Sequence, residues 1–74
     1  MKAGDWVTLE YGNQRVEAEI LLISENQRSM MLQFEAILGG YVGAMPILQD
    51  EDGVYRDLFK NEEVRIKRVS HTRP

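Results

Sequence analysis

Ser24-Glu25-Asn26-Gln27-Arg28-Ser29-Met30-Met31-Leu32-Gln33-Phe34-Glu35-Ala36-Ile37-Leu38 is the stretch on which the fold turns, because it admits two incompatible periodicities. As a helix, Ser24 followed by Gln27 fits a capping box. Met30, Met31, Phe34, Ile37 and Leu38 then fall near one face, and Gly39 supplies a stop. As a strand from Ser29, Met30, Leu32, Phe34 and Ala36 share one face at a two-residue repeat, and Glu25-Asn26-Gln27-Arg28 becomes a polar turn. Leu32 separates the two readings, since the helix points it away from the apolar face and the strand buries it with its neighbours. The strand is the favoured reading and makes the chain all-β; a helix at about 25–38 would make it α+β.

Upstream, Val7, Leu9 and Tyr11 alternate with Trp6, Thr8 and Glu10, which predicts a strand. Gly12-Asn13-Gln14 supplies turn chemistry, and a second alternating run from Arg15 to Ser24 completes a hairpin. In that run Val16, Ala18, Ile20 and Leu22 share a face opposite Glu17 and Glu19. Leu21 and Ile23 make its far end apolar on both faces, so the second half is expected to be covered on both sides.

Downstream, Gly39-Gly40-Tyr41-Val42-Gly43 holds three glycines in five residues and is expected to break the sheet. Ala44 to Gln49 carries Pro46, which places that segment at an edge or a bulge. Asp50-Glu51-Asp52-Gly53 is a turn leading into a short strand at Val54-Tyr55-Arg56. After Lys60-Asn61-Glu62-Glu63, Val64, Ile66 and Val69 alternate with Arg65, Lys67 and Arg68 as a last strand. Residues 70–74 read as a flexible tail, leaving 1–69 as the domain.

A chain of 74 residues has room for one domain. Five to six short antiparallel strands at this size hide their edges best by closing into a barrel. Gly4-Asp5-Trp6-Val7-Thr8-Leu9 is similar to the first strand of many SH3-like modules, and the expected architecture is a small SH3-like barrel.

Composition removes several kinds of chemistry. There is no cysteine, which excludes disulfides, thiolate metal sites and cysteine nucleophiles. The one histidine, His71, lies in the tail, a poor place for a catalytic base, so no catalytic residue, cofactor or enzymatic activity is expected. Asp50, Glu51, Asp52 and Asp57 have the look of a calcium loop, but the twelfth position counted from Asp50 is Asn61. A hairpin turn is the better reading, and no metal is expected. Met1-Lys2-Ala3-Gly4-Asp5 is not followed by an apolar core of signal-peptide type, so the cytoplasm is the expected compartment. The longest uncharged stretch, Ala36 to Gln49, is too short and too broken by glycine and proline to span a membrane as a helix.

Two surfaces carry the functional expectations. The uncharged segment Ile37 to Leu48 holds more apolar side chains than so small a core easily absorbs. Ile37, Leu38, Tyr41, Val42, Met45, Ile47 and Leu48 are therefore the candidate protein interface, facing a partner or a second copy. Charge supplies the alternative: residues 1–63 hold five basic side chains against all twelve acids, whereas residues 64–74 hold four basics and no acid. Arg65, Lys67, Arg68 and Arg73 are accordingly the candidate nucleic-acid contacts. Phe34 and Tyr11 are expected in the core, with Trp6 and Tyr41 partly exposed. The leading expectation is a non-enzymatic binding or assembly module, and a nucleic-acid accessory domain is the alternative.

Overall fold

The computed structural model describes all 74 residues and contains no helix. Six strands, β1 (Trp6–Tyr11), β2 (Gln14–Ile23), β3 (Ser29–Leu38), β4 (Tyr41–Gln49), β5 (Tyr55–Asp57) and β6 (Glu63–Ser70), form a closed antiparallel barrel. Each strand pairs with its neighbour in sequence, and β6 returns to pair with β1. The small all-β barrel is thus as expected, and its size and strand pattern are consistent with an SH3-like module.

The decisive stretch is a strand. Met30, Leu32 and Phe34 point into the core at a two-residue repeat, with Leu32 fully buried, and Leu38 is buried again beyond the register shift while Ala36 between them is half-buried. The Ser24 side chain that would cap a helix instead closes the β2–β3 loop together with Asn26. Asn26 Oδ1 accepts from the Arg28 N–H at 3.0 Å, Ser24 Oγ accepts from the Ser29 N–H at 3.1 Å, and Gln27 takes a left-handed φ of 61°. A helical turn has no place for that φ.

Twelve apolar residues make the core, among them Val7, Leu9, Ala18, Ile20, Met45 and Val64. Three irregularities in the pairing bend the sheet shut. Leu21 is an extra residue in β2 between the Ile20↔Leu32 and Leu22↔Met31 pairs. Residues between Gln33 and Ile37 bulge against β4. Arg68, at φ 54°, lies in the third irregularity, between β1 and β6.

Three expectations are corrected by this geometry. The second half of β2 is not covered on both sides, because the extra Leu21 shifts the alternation and leaves Leu22 68% exposed. The glycine run does not break the sheet: Gly39 and Gly40 form the two-residue turn between paired Leu38 and Tyr41, and Gly43 lies within β4. Pro46 is at neither an edge nor a bulge, since its Cα pairs with Met31 in an interior strand. Its carbonyl points to the β5 side and accepts from the Leu58 N–H at 3.1 Å, so its nitrogen faces the point where the β4–β5 ladder has ended. At the C-terminal end, β6 runs one residue past the expected domain boundary, with Ser70 paired to Trp6; beyond it His71 Nδ1 lies 2.8 Å from Asp5 Oδ1, and the Arg73 guanidinium sits 5.3 Å from the centre of the Trp6 ring.

Candidate interaction surface

Alternation within β3 and β4 sorts the predicted interface residues into two sets. Leu38, Met45 and Ile47 face the barrel interior and belong to the core, which corrects their assignment to an interface. Tyr41 is half-buried and committed elsewhere, as its hydroxyl donates to Asp57 Oδ2. Ile37, Val42 and Leu48 remain on the outside. Ile37 and Val42 are paired partners at one end of the β3–β4 hairpin, whereas Leu48 lies opposite Ser29 at the other.

The larger apolar surface is gathered from four elements. Leu22, Met31 and Pro46 lie directly opposite one another across β2, β3 and β4. Leu48 flanks them, and Leu58 enters from the loop after β5 through its bond to Pro46. They line a groove of about 400 Å³ with no charged residue on its walls. Leu22, Met31 and Leu58 escaped the sequence reading. Met31 could have been found from its place opposite Met30 and Leu32 in a period-two strand.

Asp57 holds the loop that presents Leu58. The carboxylate is 1% exposed and accepts from the backbone N–H groups of Lys60 at 2.8 Å and Glu62 at 2.7 Å. The Tyr41 hydroxyl donates to Oδ2, which also accepts from Lys60, and the Tyr11 hydroxyl makes a longer contact at 3.5 Å with Oδ1, which also accepts from Glu62. Burial pushes the Asp57 carboxyl up, but the hydrogen bonds from Tyr41, Lys60, Glu62 and Tyr11 outweigh it and hold the group below its ordinary range. Burial and the neighbouring Asp57 raise Tyr41 in turn. Phe59, in the same loop, stacks on Tyr41 with ring centres 6.0 Å apart.

The predicted nucleic-acid residues do not converge. Arg65 and Lys67 both reach Glu10, at 3.2 and 3.5 Å, and Arg15 joins them from β2 at 3.3 Å. Arg68 is at the β1–β6 irregularity, and Arg73 is over Trp6. Burial raises Glu10, yet hydrogen bonds from Arg65 and Lys67 and the charges of Lys67 and Arg15 leave it lowered. The Asp50 carboxylate is likewise occupied. It accepts from the N–H groups of Asp52 and Val54 and from Arg56, as a closed hairpin turn requires, and these bonds lower it.

Compared with protein-family models, with curated proteins and with solved structures, the chain matches none. No helix is long and apolar enough to cross a membrane.

The lowered carboxylates set the acid response. Asp5 is lowered chiefly by its hydrogen bond to His71, against burial, and Glu10, Asp50 and Asp57 are lowered as described. Their folded values lie below the ordinary 3.8 for aspartate and 4.5 for glutamate, so in that range the unfolded chain binds more protons. The stability they contribute is complete above the unfolded values and is lost as pH falls through the folded ones. Urea midpoints should therefore be flat from about pH 7 to 5.5 and fall steeply below about pH 4.5. A midpoint that rises on acidification would contradict the assignment.

Proposed function

We propose that this protein is a non-enzymatic assembly module that buries the outer β2–β3–β4 face against another protein chain, a second copy of itself being the occupant. The observation that carries this reading is the uncharged groove formed by Leu22, Met31, Pro46, Leu48 and Leu58. Burying a side chain of this size contributes roughly 1.5–3 kcal/mol, so several together are enough to hold a contact. A two-fold pairing sets each residue's patch against the same patch, and a face without charge meets no like charge there. Barrel closure leaves no free strand edge, which favours contact through side-chain faces over strand addition. A nucleic-acid role has less support, because Arg65 and Lys67 are spent on Glu10.

Light scattering over a concentration series tests the proposal. The mass should rise from 8.6 kDa toward twice that value, and Leu22→Glu or Leu48→Glu should weaken association by roughly thirtyfold, about 2 kcal/mol. A mass of 8.6 kDa throughout would sink the self-association reading. An association that both variants leave intact would sink the choice of face.

A further inference from the structure

A second groove, of about 610 Å³, opens elsewhere on the outer surface of the barrel, across β1, β2 and β3. Trp6, Glu19 and Gln33 lie directly opposite one another on those three strands and form its central row. Glu17 and Glu35 add two more carboxylates to its wall. None of the three glutamates forms an ion pair; Glu17 only accepts from the Thr8 hydroxyl at 3.1 Å. A tryptophan face beside uncompensated carboxylates attracts a flat, delocalised cation, through the ring quadrupole and through charge. The chain itself places one there: the Arg73 guanidinium lies 5.3 Å from the centre of the Trp6 ring without reaching any carboxylate as an ion pair.

We infer that this groove is a docking site for an arginine-bearing peptide segment of another protein, and that Arg73 is an internal occupant that such a segment displaces. One guanidinium leaves the three glutamates undercompensated, whereas a segment with two or more arginines covers both the ring and the acidic wall. The groove shares no residue with the apolar face of the assembly proposal, so the two stand or fall separately.

Trp6 is the only tryptophan, and its emission reports on the groove directly. The experiment titrates the full chain with a blocked peptide of alternating glycine and arginine, with a glycine–glutamate peptide and free arginine in parallel. The arginine peptide should give a saturable change in emission that weakens as salt rises, and it should bind at least about tenfold more tightly than free arginine. Arg73→Ala should tighten binding about two- to fivefold by removing the competitor. The double variant Glu19→Gln, Glu35→Gln should weaken it by about fivefold or more, with an unchanged far-ultraviolet dichroism spectrum showing that the barrel persists. No saturable response in either the parent or Arg73→Ala overturns the proposal. So do equal affinities for the peptide and free arginine, an equal response to the glutamate peptide, or binding that the double variant leaves undiminished.

Discussion

Asp57→Asn should cost about 2–4 kcal/mol of stability, the largest loss from any isosteric change in the barrel. The carboxylate is buried and faces donors alone: two backbone N–H groups and two tyrosine hydroxyls. Asparagine keeps one oxygen but turns the other position into an NH₂ group, so donors meet donors in a site water does not reach. The Lys60 and Glu62 N–H groups point inward because the 57–62 loop is wrapped around this side chain, with the Asn61 N–H returning to the Asp57 carbonyl. In a domain of this size the loss corresponds to a melting temperature lower by roughly 10–25 °C. Urea unfolding of the variant measures it, and Tyr11→Phe serves as a control expected to cost under about 1 kcal/mol, because its contact is long. A variant within about 0.5 kcal/mol of the parent would show that the loop is held by something else.

Gly39→Ala should be nearly as costly, at about 2–4 kcal/mol. Gly39 and Gly40 both take positive φ, 58° and 87°, as the two-residue turn between antiparallel strands requires. A Cβ on Gly39 would also meet the buried ring of Tyr11, 2.8 Å from Cζ and closer still to Cε1. The ring cannot swing aside freely, since it is buried in the core cluster and packs at a steep angle against the Tyr41 ring. Gly12→Ala isolates the conformational part. Gly12 has a similar φ of 60° with nothing within 4 Å of its would-be Cβ, so only about 1 kcal/mol should be lost there. Equal losses at the two positions would mean that the Tyr11 contact contributes nothing.

The strands were legible wherever one face of the sheet is buried, because the two-residue repeat of Val7, Leu9 and Tyr11, or of Met30, Leu32 and Phe34, follows directly from the pleat. Leu32 alone was enough to choose strand over helix. The irregularities were not legible, since the extra Leu21 and the bend between Gln33 and Ile37 answer to closure of the whole barrel, which no local window contains. The interface expectation failed at Leu38, Met45 and Ile47 for a related reason. A contiguous apolar run looks like one surface in the sequence, yet in a strand such a run divides between inside and outside. The exposed patch is instead assembled from Leu22, Met31, Pro46, Leu48 and Leu58, residues distant in sequence and adjacent only through register. Glu10 was hidden in the same way: its partners Arg65 and Lys67 lie at the far end of the chain and meet it only because β6 closes on β1.

The most direct test of the assembly proposal is a dilution series followed by methyl resonances. If two copies meet through the outer β2–β3–β4 face, the methyl signals of Leu22, Met31, Leu48 and Leu58 should move together with concentration and report one dissociation constant. Those of Ile37 and Val42, at the far end of the β3–β4 hairpin, should stay fixed. Signals that do not move at any concentration, or that move at Ile37 and Val42 while the Leu22 group stays still, would contradict it.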